Sequence, residues 1–211
     1  MITKEDTVLE LFPTPVLITK YPGTIEEEFK FIQNLKYESP QNNPIANFKT
    51  KDTYLLRHKE LSKIKDFINK SLDNFTSELL NTKQKAIITQ AWCNKNPPNT
   101  DHPVHYHSNS IVSGVFYFRQ NPALPPIQFN KVDGQSSLTL KVEQYNNFNS
   151  DIVMFPMVDG ELILFPSNLR HSVPPNSSKD TRYSMSFNTF ANELGWVDDL
   201  TQVKLNIQEE T

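Results

Sequence analysis

The chain has a single cysteine, Cys93. It cannot close an internal disulfide, which excludes a disulfide scaffold and fits a reducing compartment. It has no apolar run approaching the roughly 20 residues of a membrane span. The opening residues MITKEDTVLELF are too charged for a secretory signal, so a cytoplasmic protein that does not enter a membrane is expected. There is no block of one charge. The 21 Lys and Arg are scattered among 24 Asp and Glu, for a net charge of −3, which gives no reason to expect a nucleic-acid partner. Repeats and low-complexity tracts are absent too. What is present is a hydrophobic fraction of 37% and 14 phenylalanines in 211 residues, enough to bury one sizeable core and to argue against disorder.

No linker divides the chain, so 1–211 reads as a single domain. Its first part, 1–84, reads as helical support. Thr24-x-x-Glu27 has the form of a capping box, followed by Ile25, Phe29, Ile32 and Leu35 at helical spacing. Leu61, Ile64, Ile68, Leu72, Phe75 and Leu79 make a stronger helical stripe. The stretch 10–19 reads as an edge strand because of its prolines, and Tyr37–Thr53 as a loop. From Lys85 the hydrophobic period becomes two. Ala86–Trp92, Ile111–Phe118, Ser137–Val142, Ile152–Val158, Glu161–Phe165 and Arg182–Phe190 all read as strands. Asp159-Gly160 between two of them is a hairpin signal. The core, 85–195, is therefore a mostly β sandwich, barrel or jelly roll, with 196–211 as a C-terminal tail.

The histidines are concentrated in two places. DHPVHYH runs from Asp101 to His107, before the strand SGVFYF, and LRHSVPP places His171 just after the strand ELILFP. On an extended chain His105 and His107 share a face, and His102, an odd number of residues from His105, takes the opposite one as an outer or loop residue. Two imidazoles from one strand and a third from a neighbouring strand end can cap one face of a metal ion, an arrangement that suits non-haem iron. Arg182, Ser184, Ser186 and Asn188 alternate with Tyr183, Met185 and Phe187. A polar stripe lining a barrel points to a polar ligand, and the planar fork of Arg182 matches a carboxylate, with Ser184 as a further donor. By parity Ser113 and Tyr117 join the face of His105 and His107, provided no bulge intervenes. Cys93 beside Trp92 reads as core filler, and His58 in LLRHKEL as a surface residue.

Three stretches together, LFPTPV, HYHSNSIVSGVFYF and GELILFPSNLRHSVPPN…TRYSMSFNTF, resemble the 2-oxoglutarate and Fe(II)-dependent oxygenases, more narrowly the family found in marine bacteria and their phages. The resemblance implies a double-stranded β-helix core of cupin-like, jelly-roll type with supporting N-terminal helices. It implies Fe(II) and 2-oxoglutarate as cofactors, with ascorbate supporting turnover in vitro. It assigns His105 as the first metal ligand and His171 as the distal one. His107 stands where the wider superfamily has Asp or Glu, which puts the preferred metal in question. Arg182 with Ser184 would hold the far carboxylate of 2-oxoglutarate, and Tyr117 falls where related hydroxylases add a tyrosine hydroxyl. The activity implied is a dioxygenase, a hydroxylase that couples O2 reduction to decarboxylation of 2-oxoglutarate to succinate.

Two other readings stand beside it: a three-histidine cupin-like dioxygenase that does not use 2-oxoglutarate, and a non-catalytic jelly-roll binding module. The substrate, small molecule or peptide, is not legible. Its recognition is expected from loops at 37–53, 94–103, 120–134 and 144–151, whose Asn, Gln and Tyr suit a polar molecule. The edge strand at 10–19 leaves a homodimer open.

Overall fold

The structure, a computed structural model, describes residues 6–39, 43, 45–119, 121–131, 141–195 and 200–207. The strand expected over Ser137–Val142 lies, but for its last two residues, outside them. Among the described residues the chain builds β1 (Leu17–Lys20), α1 (Glu26–Gln33), β2 (Tyr37–Glu38), β3 (Phe48–Thr50) and α2 (Ser62–Asn74). Then follow β4 (Ile87–Asn96), β5 (His102–His105), β6 (Val112–Arg119), β7 (Ile127–Asn130), β8 (Ile152–Phe155), β9 (Glu161–Pro166), β10 (His171–Val173), β11 (Arg182–Phe190), β12 (Glu193–Leu194) and β13 (Val203–Lys204). A seven-stranded sheet has the order β1-β9-β6-β11-β4-β3-β2, and a four-stranded sheet the order β5-β10-β7-β8. No helix among the described residues is long and apolar enough to cross a membrane.

The large sheet is covered on both faces, and the alternation along its strands shows how. Phe116, Phe118, Leu162, Leu164, Tyr183, Met185 and Phe187 turn outward onto the helices. Val115, Tyr117, Ile163 and Phe165 turn inward and meet Ile127 and Phe129 of the small sheet. That double burial explains why β6 reads as a continuous apolar run. The stripe on α2 packs on the outer face. Leu61, Ile64, Ile68, Leu72 and Phe75 are at most 1% exposed, and each such burial contributes roughly 1.5–3 kcal/mol.

Several expectations are corrected. Leu79 is 49% exposed because the helix widens into a π turn over Phe75–Leu79, which shifts the phase of the stripe. Thr24 does not cap α1: the N-cap is Ile25 and carries no side-chain cap bond, so the hydroxyl sits one residue too early. Glu26, Glu27 and Glu28 in the first turn still oppose the helix dipole. The stretch 37–53 is not all loop, since β2 and β3 extend the large sheet beyond β4; runs this short leave no period to read. β1 is an outer strand, as the prolines suggested, but it is shorter than expected. Gly160 takes φ +75 and the turn closes through Glu161 N–H donating to the Val158 carbonyl at 3.1 Å. That turn is not a hairpin, because β8 pairs with β7 and β9 with β1 and β6. Pro156 ends β8 by withholding an N–H, and the chain crosses from one sheet to the other.

Gly114 in β6 marks the closest packing on the outer face. A Cβ built there would lie 2.2 Å from Phe187 Cζ and 2.7 Å from Leu164 Cδ2. Gly114→Ala is expected to destabilise the protein by about 1–3 kcal/mol through overpacking, read as a lowered denaturant midpoint with an unchanged slope.

Candidate metal centre

The register of β5 against β10 places His171 directly opposite His105, with ring centroids 4.3 Å apart. His107 lies just past β5. Its N–H donates to the Ser167 carbonyl at 2.9 Å, which holds that turn against the end of β9. The His107 ring is then 5.2 Å from that of His105 and 5.1 Å from that of His171. One nitrogen from each of the three lies within 4.8 Å of the others. β5 and β6 are not one strand: a turn intervenes at Asn109, whose φ is +56. Ser113 nevertheless reaches His107 Nδ1, at 3.0 Å.

Hydrogen bonds fix which nitrogen faces inward. His105 Nδ1 donates to the Pro103 carbonyl at 2.9 Å and His171 Nδ1 to the Leu169 carbonyl at 3.0 Å. A carbonyl only accepts, so both rings carry their proton on Nδ1 and leave Nε2 with a lone pair. His107 Nδ1 meets Asn188 Oδ1 in the same way, which frees its Nε2, 3.3 Å from that of His105. Burial lowers all three pKa values, that of His171 to about 3. Three neutral imidazoles with converging lone pairs are a donor set that fits a divalent cation. Among the described residues no carboxylate joins them.

His102 is not on the opposite face. Its ring stacks on that of His105 with centroids 4.2 Å apart and planes at 26°. A register shift between β5 and β10 breaks the regular alternation there. Burial first, and then the neighbouring His105, lower its pKa to about 3.

The inner face of the large sheet carries the other polar group. Arg182 is 2% exposed and donates from Nη1 to Ser184 Oγ at 3.0 Å and to Asn96 Oδ1 at 3.3 Å. Its guanidinium carbon lies 5.1 Å from the centre of the Tyr117 ring. Tyr117 Oη and Arg182 Nε have no hydrogen-bond partner among the described residues. A buried cation beside unpaired donors is a cradle for an anion. Ser184 lies opposite Tyr117 across β11 and β6, and Arg182 opposite Asn96 across β11 and β4.

Two residues in this arrangement were not picked out from the sequence. Asn188 was visible only as one member of the polar stripe; it turns out to hold His107. Ser113 joins it, and Ser113 Oγ continues through Ser167 Oγ at 2.8 Å to Ser110 Oγ at 2.7 Å. Asn96 was read only as part of a substrate loop at 94–103; it ends β4 instead, and its position opposite Arg182 is a matter of register. A cleft of about 620 Å³ opens over His102, His105 and His107, walled by Asn47, Gln90, Trp92, Asn94 and Tyr106. Elsewhere, Cys93 is fully buried and burial raises its thiol pKa, so it is core. His58 is exposed and sits 2.8 Å from Asp52 Oδ2.

Residues 90–188 match the model of a family described as "Putative 2OG-Fe(II) oxygenase". No curated protein matches the chain. Among solved structures, a prolyl-4-hydroxylase from Pseudomonas putida superposes with a TM-score of 0.57 at 12% identity, covering 83% of this chain and 92% of that one. HygX from Streptomyces hygroscopicus, with nickel, 2-oxoglutarate and hygromycin B bound, gives 0.58 at 12%, covering 83% and 82%. A prolyl hydroxylase from Trichoplax adhaerens, in complex with a hypoxia inducible factor peptide fragment, gives 0.60 at 13%, covering 83% of both chains. At these identities the likeness carries the fold, a double-stranded β-helix.

Proposed function

We propose that this chain, whose residues 90–188 match the 2OG-Fe(II) oxygenase family model, is a dioxygenase that hydroxylates a polar substrate. The single observation that carries this is the pairing of two unsatisfied groups in one sheet interior. Three Nε2 lone pairs converge at one place, and a buried guanidinium with an unpaired Nε waits at the other. His105, His107 and His171 would hold Fe(II), and Arg182, Ser184 and Tyr117 would hold the far carboxylate of 2-oxoglutarate. When bound, the metal, 2-oxoglutarate and O2 supply the oxidation, in which 2-oxoglutarate gives CO2 and succinate. The chain's own residues orient and exclude. Backbone carbonyls at Pro103 and Leu169 keep two rings turned inward. Three neutral ligands leave a divalent cation its full charge, which the keto acid end of the co-substrate would offset in part while Arg182 balances the far carboxylate.

The test is succinate release from 2-oxoglutarate under Fe(II) and ascorbate, with a panel of polar small molecules and peptides as substrates. Absence of saturable 2-oxoglutarate binding to metal-loaded protein would sink the reading. O2 uptake that ignores 2-oxoglutarate would favour the cupin-like alternative, which the all-histidine donor set supports and the buried arginine opposes. The amide-rich cleft supports a polar substrate, peptide or small molecule. We also read 1–211 as one oxygenase domain, place it in the cytoplasm on its lone free cysteine, and read the outer strand β1 as a dimer edge, which sedimentation would check.

Asn188→Ala is expected to weaken Co(II) or Ni(II) binding about 10–100-fold, the usual cost of losing a partner that orients a metal-binding histidine. The midpoint of metal-free unfolding should change far less. Asn188→Asp should restore binding, since a carboxylate also accepts from Nδ1–H.

A further inference from the structure

Three buried side-chain atoms of the described residues have no hydrogen-bond partner: Tyr117 Oη, Arg182 Nε and Asn96 Nδ2. Native folds rarely leave such groups unpaired. The first two belong to the cradle proposed above, and the third has so far no role. Asn96 is 1% exposed and sits directly across from Arg182. Arg182 Nη1 donates to its Oδ1, and a guanidinium only donates, so the amide oxygen must face the arginine. The amide NH2 is thereby held in one orientation, buried and without an acceptor.

We infer that Asn96 is a co-substrate specificity residue whose amide donates to the far carboxylate of 2-oxoglutarate beside Arg182 and Tyr117. This rests on the co-substrate reading above. The donor arithmetic agrees with it. Ser184 Oγ accepts from Arg182 Nη1 and so keeps its own hydrogen to give. Arg182 Nε, Tyr117 Oη, Ser184 Oγ and Asn96 Nδ2 then each have at least one hydrogen to give, enough together to meet the roughly four lone-pair positions of one carboxylate. The amide adds a donor without a second cation, so a single positive charge faces a single negative one. A carboxylate at position 96 would instead pair with Arg182 and close the cradle to anions.

The experiment is calorimetric titration of 2-oxoglutarate, and of 2-oxopentanoate, into the nickel-loaded full chain. 2-Oxopentanoate keeps the keto acid end and has a methyl group in place of the far carboxylate. Asn96→Ala should bind 2-oxoglutarate about tenfold more weakly, the scale of one hydrogen bond to a charged group. Its affinity for 2-oxopentanoate and for nickel should not change. Asn96→Asp should lose at least a hundredfold for 2-oxoglutarate alone. Unchanged 2-oxoglutarate binding in Asn96→Ala overturns the assignment, as does equal weakening of both ligands, which marks a merely structural residue. Wild-type protein that takes up nickel but no 2-oxoglutarate overturns the co-substrate reading itself, and this assignment with it.

Discussion

Arg182→Met is expected to lower affinity for 2-oxoglutarate more than a hundredfold while leaving nickel or cobalt affinity in place. The guanidinium is 2% exposed, and among the described residues no ion pair involves it. It donates to the neutral oxygens of Ser184 and Asn96. Burial lowers its pKa below the ordinary arginine value, which records the cost of keeping a cation out of water there. A bound carboxylate relieves that cost, so removing the cation from a loaded site forfeits about 3–5 kcal/mol, the scale for breaking a buried charge pair. The metal-free protein should respond with the opposite sign. Truncating a long buried side chain usually destabilises, but replacing an unpaired buried charge by an apolar side chain of similar volume is neutral or stabilising, by up to about 4 kcal/mol. Two titrations and one melting curve read all three quantities. A large drop in metal-free stability would mean that Arg182 is a structural group, and unchanged 2-oxoglutarate affinity would remove it from the cradle.

The residues proposed to carry chemistry could be placed on common faces because that rests on period-two alternation within single strands. Arg182 and Ser184 share a face of β11, while Tyr183, Met185 and Phe187 share the other, and this needs only one strand to read. The convergence of His105, His107 and His171 was legible for a weaker reason, since spacing suggested it but the fold delivers it through a turn after β5. Pairing between strands was not legible. Asn96 opposite Arg182, and the separation of β8 and β9 into different sheets, depend on register and crossover, which no local pattern encodes. His102 was misplaced because strand parity assumes a regular ladder and β5 breaks it. Short strands such as β2, β3 and β10 offer two or three residues, too few to show a period.

The metal-free protein should lose stability in mild acid. His171 and His102 are each held neutral in the fold, by burial first and then by His105, with pKa values lowered to about 3. In the unfolded chain a histidine titrates near 6.5. Below that value the unfolded state takes up protons that the folded state refuses, so stability falls as pH falls. The stability at stake is fully present above pH 6.5 and is lost progressively down to about pH 3, where the folded form is protonated as well. Each group sets a limiting slope of about 1.4 kcal/mol per pH unit, so two of them remove on the order of 4 kcal/mol by pH 5. That is a large part of the stability of an ordinary domain. His105 and His107 are lowered in the same direction and add to the loss. Denaturant midpoints at steps from pH 7.5 to 4.5 measure this directly. His171→Gln and His102→Gln should each flatten the limb, since an amide does not titrate. Nickel should lift the whole curve, because a cation on Nε2 occupies the position the proton would take, and acid must then displace the metal before it can charge the rings. Stability that stays level between pH 7 and 5 would contradict neutral, buried imidazoles, and with them the lone pairs on which cation binding depends.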